Sequence, residues 1–171
     1  MKIGGPNRYQ LLFDATSFTV LCPKGTPRFS GLATSSKPKL YIASVDGWPI
    51  YVGMTKQSIR DRLRFGWNAD GTGGYHGYAF RKELSSAALD VWCHEDAPEE
   101  NPCLDIETVE AEVVFLIRSA GQWPKYQTEI HFHPSNEEHR RVARDIMTRY
   151  HASPRKSLQP IAPTSGAPAE R

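Results

Sequence analysis

Two short apolar runs, residues 40–45 and 50–53, lie near the middle of the chain and flank the sequence Asp46-Gly47-Trp48-Pro49. Both runs are rich in β-branched and apolar side chains, which favour extended backbone. The Asp-Gly pair between them tolerates the positive φ values of a tight turn. The pattern therefore predicts a β-hairpin, with Tyr41 in its first strand and Tyr51 in its second.

Directly after the hairpin, the spacing of the apolar residues changes from that of a strand to that of a helix. Ser58 followed by Asp61 is a helix N-cap signature, and Ile59 and Leu63 recur at the i, i+4 spacing of a buried helical stripe. We expect a helix that ends at Gly66, a residue that disfavours helix interiors. The hairpin thus leads straight into a short helix.

Three longer patterns follow. Tyr78–Leu84 indicates a short helix, and Ala88–His94 alternates like a third strand. Asp105–Arg118 carries apolar residues at helical spacing and predicts the main core helix, and Ser135 with Glu138 predicts a cap for a final basic helix.

These elements predict an α+β fold with a small three-stranded, mainly antiparallel sheet flanked by helices. The first 36 residues contain one possible strand around 10–21 and predict an extension that packs on the core. The last 21 residues are rich in Pro, Ser and Ala without periodicity, which is typical of disorder. The predicted units are an N-terminal extension 1–36, a core 37–134, a basic helix 135–150 and a disordered tail 151–171.

Charge is distributed unevenly, although the formal net charge is only +2. Met54–Arg64 carries four basic side chains and one carboxylate, whereas Glu95–Glu112 carries eight carboxylates and no Lys or Arg. A polyanion should therefore approach the first segment and avoid most of the second.

The cysteine and hydropathy patterns bear on disulfide bonding, structural metal binding and membrane insertion. The three cysteines are odd in number, widely spaced and without a CxxC pair, which argues against a disulfide framework and a structural zinc site. No apolar run approaches the ~20 residues of a membrane span. The sequence predicts a cytoplasmic protein with no membrane partner.

The chemistry around the hairpin and helix suits phosphate. The phenols of Tyr41 and Tyr51 and the guanidiniums of Arg60, Arg62 and Arg64 can bind and polarise a phosphate. None of these groups is an acylating nucleophile with its own base. Phosphate is therefore the expected ligand.

The order of five short motifs resembles the GIY-YIG nucleases, a family found among homing endonucleases, excision-repair incision subunits and restriction enzymes. The motifs are LYI at 40–42, IYVG at 50–53, IRDRL at 59–63, VEAEVVFLI at 109–117 and PKYQ at 124–127. The resemblance implies hydrolysis of DNA phosphodiesters that depends on Mg²⁺, with Mn²⁺ as a substitute, and leaves a 5′ phosphate.

The resemblance also implies roles for particular residues. Tyr51, together with Tyr41 or His76, would activate water, and Arg62 would stabilise the transition state. A phenol accepts a proton only if nearby cations favour its anion. Both tyrosines can serve one site only if the hairpin has an odd-residue loop or a bulge, because side chains alternate along a strand. We predict such a feature.

The metal ligand is expected on the main helix. The register that aligns PKYQ with the family's terminal motif selects Glu112 over Glu110, and the two point to nearly opposite sides of a helix. A single carboxylate with several waters suits Mg²⁺. The same register places Gln127 where the family has an asparagine. Gly66 stands where some members have a histidine or a tyrosine.

Four further side chains are candidates for substrate binding: Lys56, Arg60, Arg64 and Gln127. Arg60 is also the alternative to Arg62, because one extra residue separates the helix from the second tyrosine motif. His131 and His133 form an HxH pattern, for which a surface or packing role is expected.

Two other functions stay open at this level. The first is a catalytically inactive module that binds nucleic acid or assembles with a partner, and the second is a nuclease acting on RNA or damaged DNA. One site of this kind cuts one strand, so duplex cleavage would need a homodimer, a partner subunit or two sequential nicks.

Overall fold

A five-stranded antiparallel sheet forms the centre of the protein in the computed structural model, which describes residues 1–127 and 130–151. The strands run in the spatial order β2-β1-β5-β3-β4, and every pair of neighbours is antiparallel. Their bounds are β1 Ile3–Phe13, β2 Phe18–Leu21, β3 Lys39–Val45, β4 Trp48–Thr55 and β5 Ser86–His94. The α+β class is confirmed, but the predicted number of three strands is wrong.

The two additional strands come from the N-terminal residues that were predicted to be an extension. The single strand expected around 10–21 is a hairpin that breaks at Asp14–Ser17. The Asp14 carboxylate accepts hydrogen bonds from the backbone N–H groups of Thr16 and Ser17, at 2.7 and 2.8 Å. An aspartate that binds the backbone two and three residues later favours a turn over continued extension. Strand β1 then pairs with β5 in the middle of the sheet.

Three α-helices surround the sheet: α1 Ile59–Trp67, α2 Leu104–Ser119 and α3 Glu137–Met147. The Ser58 cap of α1 is confirmed, because its side chain accepts a hydrogen bond from the Asp61 N–H. The cap of α3 is Asn136 rather than the predicted Ser135, since the Asn136 side chain receives the first free N–H groups of the helix. The short helix expected at 78–84 is a 3₁₀ turn over Ala79–Lys82.

The sheet is covered on both faces. On one face, Tyr41 and Ala43 of β3 pack with Ile59 and Leu63 of α1. On the other face, Leu40, Ile42 and Val52 pack with residues of α2 and α3. Alternate residues of a strand therefore belong to two separate apolar layers, one on each face of the sheet.

Helix lengths and the chain end complete the description. Within the described residues, none of the helices has both the length and the apolar character needed to span a bilayer. The predicted disordered tail lies outside the described residues from position 152 onward.

Candidate functional site

A bulge in the β3–β4 hairpin brings the two tyrosines to the same face of the sheet. Ala43 pairs with Tyr51 and Ser44 pairs with Pro49, so Ile50 is the extra residue. The rings of Tyr41 and Tyr51 are stacked with their centroids 6.0 Å apart. This confirms the predicted bulge. Gly53 lies against both rings, and a Cβ at this position would stand 2.5 Å from Tyr41 Cζ.

Arg62 reaches this tyrosine pair from helix α1. Its Nε donates a hydrogen bond to Tyr41 Oη at 3.3 Å. Its guanidinium carbon lies 5.4 Å from the ring centroid of Tyr75 and 5.9 Å from that of Phe65. No ion pair holds Arg62 within residues 1–127 and 130–151. The sequence preference for Arg62 over Arg60 agrees with this placement, since Arg60 projects into a different groove.

A third phenol, which the sequence interpretation missed, belongs to the same cluster. The Tyr78 and Tyr41 hydroxyls are hydrogen-bonded at 2.9 Å, and Tyr78 is 1% exposed. Its ring lies over Gly66, where an added Cβ would stand 2.2 Å from Tyr78 Cε2. Tyr78 therefore fills the space that a side chain at position 66 would occupy. The absence of a side chain at Gly66 was the available signal.

Arg81 fixes the glycine-rich loop that carries Tyr75 and His76. This buried arginine donates through Nη1 to the carbonyl oxygens of Gly66, His76 and Tyr78, and through Nη2 to that of Ala69. Charge-assisted bonds from one guanidinium thus connect the end of α1 to the loop. Arg81 is a positioning residue for the candidate site.

These groups line a cavity of about 660 Å³ beside the edge strand β4. Its walls are formed by β4, α1, the glycine-rich loop, α2 and the segment after residue 129. The residues that carry polar or charged side chains on its wall are Tyr51, Arg62, Tyr75, His76, Glu107, Glu110 and His131.

Two carboxylates, those of Glu107 and Glu110, lie on the cavity wall, whereas Glu112, the metal ligand selected by the motif register, does not. Glu110 lies on the cavity wall and is close enough to raise the pKa of Tyr51, whereas Glu112 is not part of the wall. At about 100° per residue, the two side chains project about 200° apart on α2. Glu110 lies next to the buried stripe of α2 and near Glu107, which also faces the cavity. Its position around the helix therefore favoured Glu110, but the motif alignment selected Glu112.

Two histidines, His76 and His131, line the cavity, whereas the sequence predicted a site role for His76 alone. His76 lies on the cavity wall, as proposed from the sequence. His131 also lies there, although only a surface or packing role was expected for it. His133 bonds through Nε2 to Glu107 Oε2 at 2.9 Å and so connects this segment to α2.

The four predicted substrate-binding residues do not line this cavity. Gln127 accepts a hydrogen bond from the Val52 N–H at 2.9 Å and thereby supports the outer edge of β4. Arg60 and Arg64 lie on the other side of α1, in a second groove. Lys56 is exposed. The cavity therefore holds Tyr51, Arg62 and His76 from the predicted set, with Tyr41 directly behind Tyr51.

Electrostatics favour neutral phenols at the site. Burial raises the pKa of Tyr51 well above its usual value, and the neighbouring Tyr41 and Glu110 raise it further, while Arg62 only partly opposes them. Burial likewise raises the pKa of Tyr41. The condition for Tyr51 to accept a proton, that nearby cations favour its phenolate, is therefore not met. At neutral pH, Tyr51 keeps its proton and can donate a hydrogen bond.

The oxygen ligands present fit a hard cation. Among residues 1–127 and 130–151, no three His, Cys, Asp or Glu side chains are grouped so that they would hold a metal ion together. Mg²⁺ is commonly bound by one or two carboxylates while it keeps several waters, so Glu110 on the wall of a roomy cavity is compatible with it. A transition metal would require more nitrogen or sulfur ligands.

Comparison of the chain with protein-family models, curated proteins and solved structures found no match. The resemblance to the GIY-YIG nucleases thus stays a prediction.

Proposed function

We propose that the protein is a metal-dependent DNA endonuclease whose active site is the cavity beside β4. The observation that carries this proposal is the placement of Arg62 and Glu110 on one cavity wall, with the stacked tyrosines between the sheet and Arg62. An unneutralised guanidinium suits a phosphodiester, and a carboxylate suits a hard cation.

Each side chain has a defined task in hydrolysis. Arg62 binds a non-bridging phosphate oxygen and stabilises the charge that it gains in the transition state. Tyr41, hydrogen-bonded to Arg62 and Tyr78, holds the guanidinium in place. Tyr51 donates a hydrogen bond that orients the attacking water. His76 on the cavity wall accepts the water's proton, because imidazole is the side chain that most often acts as a general base.

Glu110 would hold Mg²⁺, which supplies positive charge near the leaving oxygen when it is bound. This reassigns the metal role that the sequence gave to Glu112. Mn²⁺ prefers the same oxygen ligands and should substitute.

The test is nicking of supercoiled plasmid by the wild type, Glu110→Gln and Glu112→Gln, in Mg²⁺, in Mn²⁺ and in EDTA. The two substitutions remove the same charge from the same helix, so they are matched controls. We expect the wild type and Glu112→Gln to nick with either metal and Glu110→Gln to be inactive. Equal loss in both variants would contradict the assignment of Glu110.

A wild type that binds DNA in EDTA but nicks nothing with either metal would refute the nuclease proposal. The second candidate, a catalytically inactive nucleic-acid-binding module, would then be preferred. The raised pKa of Tyr51 favours this candidate, because it removes the phenolate as a base.

A further inference from the structure

A second groove lies on the opposite side of α1 from the proposed active site. It has a volume of about 840 Å³ and is bounded by the β1–β2 turn and β2, by the segment 27–34 and by α1. Arg28, Arg60 and Arg64 lie on its walls, and we refer to it as the α1 groove. Two of its three walls come from the N-terminal 36 residues, to which the sequence analysis assigned no chemistry.

The charge of the α1 groove is uncompensated. All three arginines are exposed, the groove wall contains no Asp or Glu, and no ion pair holds any of the three within residues 1–127 and 130–151. The arginines of helix α3 differ in this respect. Arg140 and Arg144 pair with Glu137, and Arg141 pairs with Asp145. The groove is therefore positive, whereas the charges on α3 are locally balanced.

The walls of the groove are held in place by buried aromatic contacts. The indole of Trp67 packs against Phe13 and Phe18, with ring centroids 5.6 and 4.9 Å apart, and its Nε1 donates to the Asp14 carbonyl oxygen at 3.1 Å. These contacts connect the N-terminal hairpin to α1. A ligand would therefore meet a preformed surface, which lowers the entropic cost of binding.

We propose that the α1 groove binds the phosphate backbone of the DNA strand that enters the proposed active site. Arg60 and Arg64 are one helical turn apart, about 6 Å along the axis, and Arg28 adds a third cation from a different segment. Cations spread along a groove of this size match successive phosphates of one strand better than a single small anion. Helix α1 thus presents Arg62 to the reacting phosphate and Arg60 and Arg64 to flanking phosphates.

This inference rests on the proposed function, but it can be tested apart from catalysis. Binding of a fluorescein-labelled single-stranded oligonucleotide is measured by anisotropy in EDTA over a range of salt concentrations. The variant is the triple substitution Arg28→Gln, Arg60→Gln and Arg64→Gln. The matched control is Arg140→Gln, Arg141→Gln and Arg144→Gln, which removes the same number of arginines from the opposite face of the sheet.

Each phosphate contact on a single strand contributes about 0.7 to the slope of log K against log salt, so the groove variant should lose about 2 from this slope. The α3 control should retain the wild-type slope. Circular dichroism and thermal unfolding establish that both variants are folded.

Equal slopes for the wild type and the groove variant would overturn the inference, as would an equal decrease in the α3 control. These outcomes leave the nicking result untouched. Failure to nick, combined with a slope that depends on the groove, would refute the nuclease and retain the groove as a strand-binding surface.

Discussion

Two arginine–tyrosine networks lie on opposite faces of the same sheet, and they differ in one respect. On the α3 side, Arg8 donates two hydrogen bonds to the Asp90 carboxylate, both at 2.7 Å, and Tyr150 donates a third at 2.8 Å. On the α1 side, Arg62 donates to the phenol of Tyr41, which is bonded to Tyr78. The first network contains its own carboxylate, and the second contains none.

We interpret the first network as structural and the second as part of the proposed active site. Asp90 is fully buried and neutralises Arg8, so the network on the α3 side needs no further ligand. Among residues 1–127 and 130–151, the close partners of the Arg62 guanidinium are neutral aromatic side chains, and Arg62 lies on the cavity wall. A partly buried cation without an anion is costly, and a bound phosphate would compensate it. This contrast predicts how each network responds to pH and to substitution.

The largest expected effect is alkaline unfolding, to which both networks contribute. Burial raises the pKa values of Tyr41, Tyr78 and Tyr150, and the Asp90 carboxylate raises that of Tyr150 further. Raised pKa values stabilise the fold fully below the unfolded pKa of ~10, and this stability is lost as the pH rises above it. At one pH unit above 10, ionisation of these three phenols in the unfolded chain should lower the free energy of unfolding by about 4 kcal/mol.

Absorbance at 295 nm and near-ultraviolet circular dichroism, followed together against pH, check this expectation. Tyrosinate from these three of the seven tyrosines should form only as the fold is lost. Full tyrosinate absorbance in a protein that keeps its native dichroism would contradict it.

Arg8→Gln should lower the free energy of unfolding by about 2–3 kcal/mol. The substitution leaves the Asp90 carboxylate buried with only Tyr150 as a close partner in the network. Because the Arg8 side chain is 59% exposed, the cost should be below that of breaking a fully buried pair. Urea unfolding measures the change, and a loss below about 0.5 kcal/mol would show that Asp90 does not depend on Arg8.

Tyr150→Phe should cost about 1.5–2 kcal/mol, and the matched Tyr78→Phe about 1 kcal/mol. Tyr150 donates to a carboxylate, whereas Tyr78 shares its hydrogen bond with a neutral phenol, and bonds to charged groups are stronger. The comparison is made by urea unfolding under identical conditions. The reverse order of the two costs would mean that the networks do not differ as described.

The smallest effect on stability is expected for Arg62→Gln. The substitution removes a partly buried positive charge and leaves no buried carboxylate without a partner. The free energy of unfolding should therefore stay unchanged or rise by up to about 1 kcal/mol. Thermal unfolding with and without a short oligonucleotide provides the measurement. A loss comparable to that of Arg8→Gln would make Arg62 a structural residue.

Local patterns were sufficient to predict the hairpin, helix α1 and helix α2. The Asp-Gly turn, the Ser58 cap and the apolar stripe of α2 depend on neighbouring residues and are visible in the sequence. The five-stranded sheet was not predictable in the same way. Pairing of β1 with β5 joins residues 74 to 91 positions apart. The Asp14 turn that precedes β2 was interpreted as part of a continuous strand.

The same distinction between local and long-range contacts applies to the residues of the candidate site. Tyr41, Tyr51 and Arg62 belong to adjacent elements, and their convergence was predicted. Tyr78 and His131 reach the site through tertiary packing. Their distance along the chain from the other site residues gives no sign of this contact. Glu110 was accessible from the helical phase of α2, but the motif alignment selected Glu112.

The contrast between the two arginines is tested most directly by the nicking rates of Arg62→Gln and Arg8→Gln, measured on supercoiled plasmid with Mg²⁺ and corrected for the folded fraction. Loss of one transition-state donor should slow Arg62→Gln about 100- to 1000-fold. Arg8→Gln should keep the wild-type rate per folded molecule. Wild-type nicking by Arg62→Gln, or an equal loss in both variants, would contradict the assignment of Arg62 to the reacting phosphate.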